Sequence, residues 1–188
     1  MEKLIEYLKN INGISSKSAE KIIFDLIINK NKLLNLEEFL KKIKLDYDEC
    51  GECFFYRENR TCLFCDNDQR DKKIICVVST KIDAKKILNS NYKGIIHVLN
   101  GEINLNKNID PEKLTLNKLF ARINMDTELL LALNLTFEGE VTANFIYNKV
   151  KSNCSKISRI ARGIPLGGVL DYIDQETLND AILNRKKF

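Results

Sequence analysis

Residues 50 to 65 read CGECFFYRENRTCLFC. Cys50 and Cys53 form one CxxC turn, Cys62 and Cys65 a second, and the eight residues between them let the chain double back. Zinc is held tetrahedrally by four thiolates in sites of this composition. Four cysteines fill every coordination position and leave none for water, so the chemistry implied is structural rather than catalytic. Metal binding of that kind contributes on the order of 10 kcal/mol to local folding. That matters here because the segment carries almost no core of its own. The competing reading is a pair of redox CxxC motifs. Phe54, Phe55, Tyr56, Arg57 and Arg60 could stack the bases of a single strand. They could equally pack over a small metal core, and that reading is preferred.

A second candidate lies near the N-terminus. Residues 4 to 27 read LIEYLKNINGISSKSAEKIIFDLI. Leu4, Ile5 and Leu8 share one helical face, Gly13 breaks the pattern, and Ala19, Ile22, Ile23 and Leu26 resume it. Ser15 or Ser16 can cap the second helix. Two short helices across a tight glycine turn make a helix–hairpin–helix candidate. The N-terminus of its second helix offers backbone N–H groups to an anion. Lys17 and Lys21 are four apart and share a face, so together they could grip a phosphate backbone without reading bases. An ordinary helical pair with solvated lysines fits the spacing equally well. Hairpins of this type usually carry a second glycine where this chain has Ser15.

Glu138 and Glu140 flank Gly139 directly after a strand pattern. Ligands bind at the carboxyl ends of parallel strands, and two carboxylates with several waters could hold Mg²⁺. Alternatively, both sit in the first turn of the helix that VTANFIYNKV implies, where the dipole favours negative charge. His97 stands alone in IIHVL and reads as a core or hydrogen-bonded residue rather than a base. Cys76 in IICVV reads as a buried core residue. Cys154 receives no assignment.

The elements that must position these residues follow from the rest of the pattern. IICVVSTKIDAKKIL (74–88) reads as strand, loop and helix, and KGIIHVLNG (93–101) as a second strand. INLNKNIDPEK is a loop, LTLNKLFARI a helix and TELLLALNL a strand. FEGEVTANFIYNKVK is a turn into a helix, and KISRIAR a short strand into a basic turn. Strands and helices alternate, which predicts a parallel α/β sheet. The fold class expected is α/β (α+β overall), with a helix–hairpin–helix over 1–48 and a four-cysteine zinc finger over 49–66. A parallel α/β domain follows over 73–168 and a C-terminal oligomerisation segment over 169–188.

Composition bounds the function classes. The chain has 188 residues, 44% of them hydrophobic, enough for a real core. Net charge is +4, a weak sign of nucleic acid by itself. No apolar run approaches the ~20 residues that cross a bilayer, and MEKLIEYLKN does not read as a signal peptide. The expectation is a cytoplasmic protein without a disulfide framework or a membrane partner.

Helical hairpin, four-cysteine knuckle and α/β unit are followed by ARGIPLGGVLDYIDQETLNDAILNRKKF. In this order they resemble the RecR family of bacterial recombination mediators along nearly the whole chain. The most specific pieces are the CxxC–x8–CxxC knuckle, NLTFEGEVTANFI at 134–146 and RIARGIPLGGVLDYIDQETL at 159–178. The resemblance implies a Toprim domain and a ring, dimeric or tetrameric, that clamps double-stranded or gapped DNA without an enzymatic reaction. It implies work with RecO, and in some contexts RecF, to load RecA on gapped DNA coated by single-strand binding protein. By matching position, Lys17 and Lys21 would face DNA, Glu138 and Glu140 would meet RecO, and the C-terminal segment would make subunit contacts. The chain departs from the family at Ser79, where catalytic Toprim domains place a glutamate. It departs again at NLNKNIDP (104–111) and at Leu135, where a proline is usual. These changes argue against the alternatives that a Toprim domain would otherwise invite: a Mg²⁺-dependent nuclease, primase or topoisomerase. A zinc-knuckle module for RNA or protein is the third reading.

Overall fold

The IICVV run is apolar at every position because its strand is buried on both faces, the signature of a central parallel strand. A computed structural model describes residues 1–185. They fall into two compact units: Met1–Asp48 with Glu58–Arg60, and Glu49–Arg57 with the described residues from Thr61 onward.

The first unit is helical: α1 (Glu2–Lys9), α2 (Ser16–Ile28) and α3 (Lys30–Asp46). Gly13 makes the turn between α1 and α2 with φ +90°, a conformation that a side chain would strain. Ser15 stands where a second glycine was expected. Its φ of −77° needs no glycine, and its hydroxyl caps α2 by accepting from Ser18 N at 3.2 Å. The apolar side chains buried in α1 to α3 are Ala19 and Ile23, both on α2.

Three short strands follow, β1 (Tyr47–Glu49), β2 (Tyr56–Glu58) and β3 (Thr61–Cys62). The second unit is built on β4 (Asp71–Val78), β5 (Gly94–Val98), β6 (Glu128–Ala132) and β7 (Lys156–Arg159). They form one parallel sheet in the order β5-β4-β6-β7. The helices of this unit are α4 (Lys81–Leu88), α5 (Leu116–Ala121), α6 (Phe137–Val150) and α7 (Gln175–Leu183).

Side chains alternate across β4, so two cores form. Ile75 and Val77 join Ile95, Leu129 and Leu131 against Leu116 and Leu119 of α5 and Ala143 and Ile146 of α6. Cys76 and Val78 face the other way, with Ile96, Val98 and Ala84 of α4. Here the knuckle contributes its own residues: Cys50, Cys53, Phe55, Cys62 and Phe64 belong to this second core. The knuckle, expected to carry almost no core of its own, thus shares one face of the sheet. Burial pushes the Cys76 thiol up to about 12, which leaves it an inert core group.

Candidate functional site

The knuckle is the most concentrated chemistry in the molecule. Four sulfur ligand atoms, from Cys50, Cys53, Cys62 and Cys65, lie within 4.8 Å of one another. Cys53 Sγ and Cys62 Sγ are 3.5 Å apart. A tetrahedron with Zn–S bonds of about 2.3 Å has edges of about 3.8 Å, so the sulfurs are already gathered at metal-site spacing. The first turn is tight: Phe54 N donates to Cys50 O at 2.9 Å and Cys50 N to Phe55 O at 2.7 Å. In the second, Cys65 N points at Cys62 Sγ (3.4 Å), and Asp66 accepts from Cys62 N at 2.7 Å. N–H groups aimed at a sulfur favour its thiolate form. The hydrogen bond with Cys53 pulls the Cys62 thiol down and pushes the Cys53 thiol up. Four soft sulfurs, three of them buried, suit a thiophilic cation. Among the described residues, this is the one cluster of three or more His, Cys, Asp or Glu side chains able to share an ion.

The aromatic residues of the knuckle do not form a stacking platform. Phe55 is 1% exposed and packs edge-on against Phe64 at 5.3 Å. Phe54 meets the ring of His97 edge-on at 5.4 Å. Both rings are committed to packing, as the preferred reading of this segment expected.

His97 is fully buried and neutral. Its Nδ1 accepts from Arg122 Nη1 at 3.0 Å, so Nε2 carries the proton and donates to Thr115 O at 3.1 Å and Thr115 Oγ1 at 2.9 Å. Burial, followed by the adjacent Arg122 charge, pulls its pKa down to about 3. It acts as a hydrogen-bonded core residue, as its isolation in sequence suggested.

The carboxyl ends of β4, β5 and β6 meet at the point where the strand order reverses, the usual ligand position in such sheets. Ser79 follows β4 and is buried. Its hydroxyl donates to Glu102 Oε1 at 2.5 Å, and Asn134 N donates to the same oxygen at 3.0 Å. One carboxylate oxygen thus ties together the loops after all three strands. Glu102 was not singled out in sequence. Its only signal was an acid a few residues past a strand, in VLNGEI.

Glu138 and Glu140 lie in the first turn of α6, where Thr136 caps the helix by accepting from Gly139 N at 3.2 Å. Two residues apart on a helix, they diverge rather than face each other. Glu138 accepts from Asn104 Nδ2 at 3.0 Å and borders a cleft of about 320 Å³ with Glu102, Lys107 and Asn134. Glu140 points elsewhere and accepts from Arg159 Nη2 at 2.8 Å and Arg162 Nη2 at 3.1 Å. Arg162 in turn pairs with Glu176 and Asp180 of α7. The residue between the two acids must be glycine: a Cβ on Gly139 would stand 2.0 Å from Asn134 O. The two carboxylates are therefore engaged by different partners rather than turned toward a common point.

Lys17 and Lys21 lie one turn apart on α2, both exposed. The first N–H groups of that helix have no intrahelical acceptor, and the Ser15 hydroxyl satisfies that of Ser18.

A helical unit, a cluster of four cysteines able to share a metal ion and a parallel sheet with acids at its switch point define a Toprim-domain protein with a four-cysteine knuckle. Residues 73–161 match the family model described as Toprim domain, and residues 163–186 match the one described as RecR, C-terminal. The chain is 38% identical to the Recombination protein RecR of Phytoplasma mali (strain AT), over 100% of this chain and 95% of that protein. It is 35% identical to the Recombination protein RecR of Cytophaga hutchinsonii, over 100% and 94%, and 37% identical to that of Protochlamydia amoebophila (strain UWE25), over 99% and 96%. The chain belongs to the RecR family.

Proposed function

We propose that this protein is a non-enzymatic DNA clamp of recombinational repair. The observation that carries the reading is the full-length match to recombination proteins, in a chain whose hairpin presents Lys17 and Lys21 beside a capped helix N-terminus. In this reading the hairpin holds phosphates of double-stranded or gapped DNA, and the cysteine cluster holds a structural Zn²⁺. The protein works in the cytoplasm with RecO, and with RecF where it is present, to load RecA on gapped DNA coated by single-strand binding protein. Glu138 and Glu140 serve the RecO contact. Engagement of Glu140 must compete with the arginines that hold it now.

Two features support the absence of a reaction. Ser79 stands where a Toprim enzyme needs a carboxylate, and Glu102 is engaged as a structural acceptor. Glu138 and Glu140 diverge, so the divalent-metal reading has little to stand on. Self-association as a dimeric or tetrameric ring is supported by apolar side chains left exposed in the helical unit, Ile28 and Leu45 each at 82%. One hairpin makes few phosphate contacts and binds weakly; several copies around one duplex raise the effective concentration. Among the described residues no helix is long and apolar enough to cross a membrane.

The test is fluorescence anisotropy of the zinc-loaded protein on gapped DNA over a salt series, beside the Lys17→Glu/Lys21→Glu variant. Expected are salt-sensitive binding, its loss in the variant, and DNA recovered intact. Binding indifferent to those lysines, or Mg²⁺-dependent breakage abolished by Glu138→Gln, overturns the reading.

A further inference from the structure

We propose that Arg70 and Arg122 are positioning residues of the cysteine knuckle, and that the knuckle they hold is the cap on the β5 edge of the sheet. Metal binding and closure of that edge are then one event. The inference rests on the reading of the four cysteines as a zinc site.

β5 pairs with β4 on one side only, so its other edge presents backbone groups at alternate residues. Gly94 O accepts from Arg70 Nη1 at 3.0 Å. Ile96 O accepts from Arg122 Nη1 at 3.1 Å. Val98 N donates to Cys53 O at 2.9 Å. An uncovered edge of this kind is a template for pairing with other chains; here a metal ligand's own carbonyl and two guanidinium groups occupy it.

Each arginine also reaches inside one CxxC turn. Arg70 Nε donates to Leu63 O at 3.2 Å, and Leu63 lies between Cys62 and Cys65. Arg122 Nη1 donates to Glu52 O at 3.1 Å, and Glu52 lies between Cys50 and Cys53. The two turns are thus fastened to one strand by the same device, from residues far apart in sequence. Each guanidinium is itself fixed. Arg70 lies over the Phe64 ring at 4.6 Å and donates to Tyr92 O at 3.1 Å. Arg122 is oriented by its hydrogen bond to His97 Nδ1. The planar fork of arginine can serve several carbonyls at once, which a lysine ammonium on a flexible stem does not reproduce. Neither arginine is a ligand. What they fix is the path of the backbone that carries the sulfurs, and groups behind a ligand shell tune metal retention in this way.

The test uses the full chain purified with zinc. Metal content is measured first: about one zinc per chain is expected from a four-thiolate site, and its absence would sink the zinc reading itself. With zinc present, release to a chromophoric chelator is timed in wild type, Arg70→Ala, Arg122→Ala and Arg122→Lys. The thiolate-to-metal absorption of the cobalt-substituted proteins is recorded beside it. The expected result is release about 10- to 100-fold faster in each alanine variant, a shifted cobalt spectrum, and an intermediate rate for Arg122→Lys. Chelation of the wild type should also open the Val98 amide to hydrogen exchange. Stoichiometric zinc with unchanged release and spectrum in both alanine variants would overturn the proposal. So would slow exchange at Val98 that survives chelation, an outcome that no folding defect of a variant can mimic.

Discussion

In α1 to α3, Ala19 and Ile23 are the buried apolar side chains, while Leu4, Ile28, Leu34, Phe39, Leu40 and Leu45 are each more than half exposed. In the knuckle-and-sheet unit, both faces of β4 are sealed and the cysteine turns share one of the two cores. The second unit therefore has within itself the contacts that hold it together. The helical unit leaves large apolar side chains exposed among the described residues. Its groove of about 290 Å³, lined by Leu4, Leu8, Ile23, Leu26 and Leu33, is part of the same unfilled surface. One unit is organised around a sheet and a four-cysteine cluster; the other, in the function proposed above, would be completed by assembly. The proposed clamp would use that division: helices that assemble in several copies, and a sheet unit that holds itself together.

The largest effect that could break this contrast concerns the metal. Cys53→Ser with Cys62→Ser should abolish cooperative melting of the sheet unit, because a structural zinc contributes on the order of 10 kcal/mol and the knuckle forms part of that core. Calorimetry with metal analysis reads this. An unchanged melt would make the knuckle an appendage. Next comes the exposed face of the helices. Ile28→Asp should raise the dissociation constant of self-association about 30-fold or more, the size of a buried interface anchor. The same change in a solvated position alters stability by only about 0.5 kcal/mol. Light scattering over a dilution series separates the two cases, and an unaltered mass would dissolve the contrast.

A smaller effect sharpens the description of the sheet unit. His97 has an ordinary value of 6.5 and is pulled to about 3 in the fold by burial and Arg122. Between those values the unfolded chain binds the proton and the folded one does not. The contribution of His97 is therefore fully present above pH 6.5 and is lost as pH falls toward 3. His97→Asn, which keeps an acceptor near Arg122 without a titrating ring, should flatten this part of the acid dependence of melting. A slope identical to wild type would mean that the buried imidazole is not the group being titrated.

Local signals in the sequence reached some of this and not the rest. The metal cluster was legible because CxxC spacing is a local property. The parallel sheet was legible because fully apolar runs such as IICVV alternate with helical patterns. The first turn of α6 was legible from the acids before VTANFIYNKV, although the side chains that each acid meets were not. The shared core was hidden because Phe55 and Phe64 meet Cys76, Val78 and Ile96 only after the chain has folded back. Glu102 was hidden for the same reason: its partners Ser79 and Asn134 lie 23 and 32 residues away. Arg70 sat in what reads as a polar bridge and Arg122 at a helix end, with nothing local to mark either. α3 went unread although Leu33, Leu36, Leu40 and Ile43 recur at helical spacing and did mark a helix.

The most direct test of the clamp asks whether topology adds to contact. Protein bound to gapped DNA would be challenged with rising salt, once on a closed circle and once on the same sequence made linear. The account predicts that the circle retains protein at salt concentrations that strip the linear form, and that Lys17→Glu/Lys21→Glu is lost from both. Equal loss from circle and linear DNA would contradict it, because binding would then rest on phosphate contacts alone.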